Sequence, residues 1–216
     1  MRHIQKDEEP ARVKDWKIRF KNVNRRLPQY ADIHGTEEKN VLKAALLSEQ
    51  KYLCCYCCNR ITFENSHIEH FRPKGKAMYE KLSLEYSNLH ASCQGEKGDG
   101  KHCGHAKAEK FDEGLMISPL DARCEDRFMY TAHGDICAAN GADEAAKYTI
   151  DTLALHDKRL CAAREEAIWA SGALTTENPE EIQALITKFN TPVRGELAPF
   201  CDAILYQLRK ELKGAV

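Results

Sequence analysis

Three absences narrow what this chain can be. No stretch approaches eighteen consecutive apolar residues, so no transmembrane helix is expected and no membrane partner. The opening Met1-Arg2-His3-Ile4-Gln5-Lys6-Asp7-Glu8-Glu9-Pro10 has no apolar centre, which argues against a secretory leader. No internal repeat and no low-complexity segment is found, and the net charge is only −1.

A chain without a leader is expected in the cytoplasm, where thiols stay reduced. Its ten cysteines then mean metal ligands and free thiols rather than a disulfide framework. Cys124, Cys137, Cys161 and Cys201 stand singly among apolar residues and read as ordinary buried thiols. With 216 residues, 43% apolar and 30% charged, the chain can bury a real core in one domain or a small domain with an extension.

What is abundant is concentrated in one place. Six of the ten cysteines and five of the nine histidines fall between positions 54 and 107. Thiolates and imidazoles at that density are the ligands zinc prefers. Cys54-x-x-Cys57 can supply one pair and Cys93 with Cys103 the other, giving four sulfurs for a closed structural Zn²⁺. The doubled cysteines leave a second register, Cys55-x-x-Cys58; the first is preferred because it encloses Tyr56. Nine residues separate Cys93 from Cys103, so Gln94 to Lys101, with three glycines among charges, reads as a mobile surface insertion. His102 or His105 could stand in for one thiolate.

The segments on either side divide by charge. From Ala11 to Tyr30 seven bases face one acid, with Trp16, Phe20 and Tyr30 interleaved; from Asn140 to Asn190 nine acids face five bases. A polyanion would meet the first and a protein partner the second, although a basic run is as often a solvated helix face. Residues 1–10 read as extended, an edge strand ended by Pro10, and Arg12 to Arg26 as either helix or strand and turn. Thr36 predicts a helix cap, with a helix from Glu37 to about Tyr52. Ile61-Thr62-Phe63 and Ser66 to Phe71 have strand character about a turn at Glu64-Asn65. Leu84 to Cys93 reads as loop tightening toward helix, and Ala106 to Lys110 as a short helix. Phe128 to Ala132 and Asp135 to Cys137 read as a hairpin over His133-Gly134. Asn178-Pro179-Glu180-Glu181 starts a helix with face Ile182, Leu185, Ile186 and Phe189, and a last helix follows from Leu197 to Leu212. Three segments follow: 1–53, basic segment and helix; 54–113, metal module; 114–216, hairpin and helices suited to partner docking.

Between the cysteine pairs lie Glu69-His70, Asn88 and, after the last cysteine, His105. The run Ile68-Glu69-His70-Phe71-Arg72-Pro73-Lys74, with Asn88-Leu89 and Cys103-Gly104-His105-Ala106-Lys107, resembles the HNH endonuclease subunit of Septu-type antiphage systems, including retron-associated ones. Met1-Arg2-x-Ile4 and Ser118-Pro119-Leu120 with the hairpin also resemble that family, so the likeness covers most of residues 1–160 and fades in the last helices. The resemblance implies an α+β fold: a ββα-metal, treble-clef-like core with a zinc knuckle, then a mainly helical region. It implies phosphodiester hydrolysis with a catalytic divalent ion (Mg²⁺, Mn²⁺ or Zn²⁺) and complex formation with an ABC or overcoming-lysogenization type ATPase, in some cases within a retron complex.

The residues carry that chemistry on their own terms. Hydrolysis needs an activated water and a cation for the charge that develops. Neutral His70 is the natural base, and Glu69, on the opposite strand face, can hold the metal. HNH nucleases often place His or Asn directly after the fourth cysteine; that slot is Gly104 here, so His105 is assigned as second metal ligand, with His102 and His67 as alternatives. By resemblance Asn88 ties down the loop behind His70. Arg72, Lys74 and Lys107 are expected at phosphates of the nucleic acid, DNA ahead of RNA. Two other functions are compatible: a non-catalytic zinc-knuckle adaptor, and a stand-alone restriction-type HNH nuclease, for which 216 residues leave little room.

Overall fold

The computed structural model describes residues 1–94 and 101–214. Residues 95–100, most of the expected glycine-bearing insertion, lie outside the described residues.

Residues 1–10 form neither helix nor strand, so the expected edge strand is not formed. Side chains hold this segment instead. The Lys6 ammonium and the Tyr86 hydroxyl both reach the buried Glu49 carboxylate, at 2.5 and 2.8 Å. The Met1 ammonium, fully buried, donates to Tyr130 Oη and Asp202 Oδ2, each at 2.7 Å. Pro10 opens a helix rather than ending a strand: its carbonyl accepts from Val13 and Lys14 at the head of α1, Ala11–Asn24. Thr36 caps α2, Glu37–Glu49, accepting from the Lys39 N–H at 3.3 Å, with Glu37 and Glu38 in the first turn.

The hairpin expected about Glu64-Asn65 is not there. Thr62 and Asn65 turn the chain on their own side chains: Asn65 Oδ1 accepts from the Thr62 N–H at 2.6 Å, and Thr62 Oγ1 accepts from the Glu64 N–H at 3.2 Å. Such local bonds compete with a ladder, and Ile61 pairs with the Tyr52 carbonyl instead. The strand after the turn, β1 (Ser66–His70), pairs antiparallel with β2 (Leu89–Cys93), placing Ser66 opposite Cys93 and His70 opposite Leu89. Where helix was expected toward Cys93, only a 3-10 turn at Tyr86–Asn88 precedes strand. Helix α3 is one turn, Gly104–Lys107, closed by Ala108 at φ 46°, earlier and shorter than Ala106 to Lys110.

Beyond it, β3 (Phe128–Tyr130) and β4 (Ile136–Ala138) form a second antiparallel pair. Four helices follow: α4, Glu144–Thr152; α5, Lys158–Ala170; α6, Pro179–Asn190; and α7, Cys201–Gly214. Asn178 caps α6, and α7 packs against α5, α6 and β3. Buried Arg164 fastens α5 by donating to the carbonyls of Gly134 and Leu155, the latter at 3.2 Å. Gly134 is required by packing as well as by its φ of +79°, since a Cβ would stand 2.1 Å from the Cys161 carbonyl. The architecture is α+β, with a main core drawing on residues from Met1 to Leu208 and two smaller clusters, one of them Phe71, Tyr79, Phe111 and Met116. Cys124 and Cys201 are buried as expected; Cys137 is exposed and Cys161 half-buried, because Cys137 lies on the outer face of β4. Among the described residues no helix is long and apolar enough to cross a membrane.

Candidate metal centre and active site

The turn after α2, the end of β2 and the residue before α3 bring Cys54, Cys57, Cys93 and Cys103 together, with all four sulfurs within 4.8 Å of one another. Sulfurs held about 2.3 Å from a tetrahedral zinc lie about 3.8 Å apart, and Cys57 Sγ stands 3.8 Å from Cys93 Sγ. The donor set therefore fits a structural zinc. Cys55 and Cys58 lie outside it: the Cys55 N–H binds the Ala91 carbonyl, and Cys58 packs against Leu53, Leu197 and Cys201. His102 replaces no thiolate. Its Nδ1 lies 3.2 Å from Cys103 Sγ and 3.7 Å from Cys93 Sγ. Burial alone would lower its pKa, but the hydrogen bond and charge of Cys93 raise it. Burial also opposes ionising the sulfurs, and Cys103 sits well above the ordinary thiol range; hydrogen bonds from Cys103, Cys55 and Cys57 nonetheless hold Cys54 below it. Unequal thiols of this kind all ionise once a dication is bound.

The frame points β1 into a cleft of about 150 Å³ lined by His67, Glu69, His70, Lys74, Gly104 and Lys107. Roomier clefts, of about 450, 350, 500 and 190 Å³, contain neither Glu69 nor His70. The Glu69 carboxylate is 7% exposed, and its two oxygens face different partners. Oε1 accepts from the Lys107 ammonium at 2.8 Å and the Tyr56 hydroxyl at 3.2 Å. Oε2 faces His67 Nε2 at 3.3 Å. Burial pushes the carboxyl upward, yet the bond to His67 and the Lys107 charge outweigh it and hold it at about 2.

His70 is 6% exposed, with the Tyr30 ring edge-on at 4.5 Å. Its Nε2 lies 3.0 Å from the Ser83 carbonyl oxygen. A carbonyl only accepts, so Nε2 carries the proton and Nδ1 the lone pair. Burial, reinforced by Lys74, lowers its pKa to about 4, so the ring is neutral at pH 7. A neutral ring in this tautomer can accept a proton at Nδ1.

The other expected residues divide into three groups. Asn88, 2% exposed, clamps the chain beside His70: its Oδ1 accepts from the Arg72 N–H at 2.7 Å, and its Nδ2 donates to the Arg72 and Leu82 carbonyls at 3.0 and 3.1 Å. His105 is exposed on α3, its ring 5.0 Å from that of His67, while His67 is the imidazole in contact with Glu69. Lys74 is exposed at the cleft rim, 4.4 Å over the Tyr30 ring, and Arg72 is engaged by Glu113 at 3.0 and 3.2 Å. Lys107 requires a correction. It is 1% exposed and donates to Glu69 and the His70 carbonyl, both at 2.8 Å, so it neutralises the carboxylate from within and does not reach a phosphate. Tyr56, Tyr30 and Ser83 were not anticipated; only the position of Tyr56 between two ligands carried a signal. Among the described residues, His67 Nδ1 and both nitrogens of His90 are buried without a hydrogen-bond partner.

These features define an α+β protein with a four-cysteine cluster able to bind metal, beside a cleft holding a neutral imidazole and an ionised carboxylate. No protein-family model matches the chain. The chain is similar to the "Retron Vc95 putative HNH endonuclease" of Vibrio cholerae serotype O1 biovar El Tor, 28% identical over 135 residues. The match takes in 60% of this chain and 64% of that protein, less than two thirds of its length.

Proposed function

We propose that the chain is a metal-dependent HNH endonuclease. The observation that carries this is the orientation of His70, whose Nε2 is pinned to the Ser83 carbonyl beside Glu69, leaving the Nδ1 lone pair for a water. That nitrogen takes the proton of the water as its oxygen attacks phosphorus, and the P–O bond to the sugar oxygen of the leaving strand breaks, that oxygen taking a proton from solvent. Glu69 would hold a divalent ion (Mg²⁺, Mn²⁺ or Zn²⁺), which would supply charge stabilisation to the phosphate. Lys74, exposed at the rim, would meet the nucleic-acid backbone, DNA ahead of RNA. Zinc on Cys54, Cys57, Cys93 and Cys103 would hold β2 and α3 in register for the site.

The name of the similar protein supports a retron context; the family resemblance implies an antiphage role with an ABC or overcoming-lysogenization type ATPase as partner, for which residues 114–216 would be the docking region. Co-purification with the neighbouring gene product, then cleavage assays on plasmid DNA and total RNA, tests this: the complex should cut, and His70→Ala in the same complex should not. A non-catalytic zinc-knuckle adaptor is the second reading. It draws on the burial of His70 and the Glu69–Lys107 ion pair, and it predicts that His70→Ala keeps every function of the wild type.

A further inference from the structure

We infer that the second protein ligand of the catalytic ion is His67, from the same strand as Glu69, with Gly104 as the void that admits its ring. The inference rests on the nuclease reading and specifies its cation site. His67 and Glu69 are two residues apart on β1 and so share a face of the strand. Their Nε2 and Oε2 atoms converge to 3.3 Å. Two ligands each about 2.1 Å from an ion stand about 3 Å apart at a right angle and about 3.4 Å apart at the tetrahedral angle, so the pair has the bite of two adjacent ligands. Glu69 is already divided for that purpose: Oε1 is taken by Lys107 and Tyr56, which leaves Oε2.

Gly104 is the second, independent observation. Its φ is not in the left-handed region, so the backbone does not demand glycine there; the neighbours do. A Cβ at 104 would lie 2.5 Å from Glu69 Oε2 and 2.7 Å from His67 Nε2. The two donor atoms therefore crowd against the one position on α3 that has no side chain. Any residue there would displace the pair, and the imidazole of His67 occupies the volume such a side chain would need. Among the described residues His67 Nδ1 has no hydrogen-bond partner, so no bond fixes the ring tautomer from that side. His105 is turned toward the His67 ring, one imidazole further out.

The test is Mn²⁺ binding by the zinc-loaded full chain, followed by the electron paramagnetic resonance of free Mn²⁺, with zinc content and circular dichroism as folding controls. His67→Ala should weaken Mn²⁺ binding at least tenfold, and Glu69→Gln likewise, with zinc unchanged; His105→Ala and His70→Ala should bind within twofold of wild type. In the unaltered protein, Mn²⁺ at a few per cent of the protein concentration should broaden the His67 ring resonances before those of His105, a readout independent of whether any variant folds. Wild-type affinity in His67→Ala, loss of binding in His105→Ala, or broadening of His105 first would overturn the assignment. Those outcomes leave the nuclease reading standing if His70→Ala still fails to cut; cutting by His70→Ala removes the nuclease reading whatever Mn²⁺ does.

Discussion

Lys107→Met is the substitution that most sharply separates what the structure says of this residue from what its place in the motif suggests. Methionine keeps most of the buried stem and deletes the ammonium. Lys107 is 1% exposed and Glu69 7% exposed, so the variant leaves a carboxylate in the interior without its cation. Breaking one half of a buried pair costs about 3–5 kcal/mol, a large share of the ~5–15 kcal/mol that holds a domain together. The pH dependence has a definite sign. Glu69 is held at about 2, below its ordinary 4.5, so its contribution is complete above pH 4.5 and is lost as pH falls toward 2. The penalty of Lys107→Met is therefore largest at neutral pH and shrinks in acid, where the stranded carboxyl protonates. Urea unfolding of the zinc-loaded protein at pH 7.5 measures it. Glu69→Gln/Lys107→Met, which removes both charges, should cost at least ~2 kcal/mol less than the two single losses added together. A loss below ~1 kcal/mol for Lys107→Met, with weakened nucleic-acid affinity, would refute the internal ion pair and return Lys107 to the phosphate.

Two further perturbations are diagnostic. His70 is lowered to about 4 by burial and by Lys74, so its stabilising contribution is full above pH 6.5 and fades as pH falls from there toward 4; cleavage should stay level from pH 8 to 5.5, whereas a tenfold fall per unit beginning near 6.5 in a pH–rate profile would show an ordinary, exposed imidazole. Cys57→Ser should lose zinc and unfold the segment around β1 and β2, since structural zinc supplies much of a small module's folding energy; an intact circular dichroism spectrum without zinc would contradict that.

Local spacing made the thiolate cluster and the capped helices legible. Cys54-x-x-Cys57 is a short-range pattern, and Thr36 and Asn178 cap from the chain's own next residues, so little tertiary information was needed. The strands were harder. Ile61 to Phe63 has the right residue types, but the Thr62 and Asn65 side chains bend the backbone before a ladder can form, and the true partner of β1 lies across two 3-10 turns. Burial separated the two lysines of the site: Lys74 and Lys107 look alike in sequence, yet α3 folds one onto Glu69 and the loop leaves the other at the rim. Arg72 was likewise unreadable as a paired residue, because Glu113 lies 41 positions away.

The central claim is that His70 is a base, and cleavage by the purified, zinc-loaded His70→Ala protein in complex with its partner tests it most directly. Retained zinc, retained secondary structure and cleavage reduced at least a hundredfold are expected, in line with the usual contribution of about 10²–10⁴ from a positioned base. Cleavage at the wild-type rate by that protein would contradict the account.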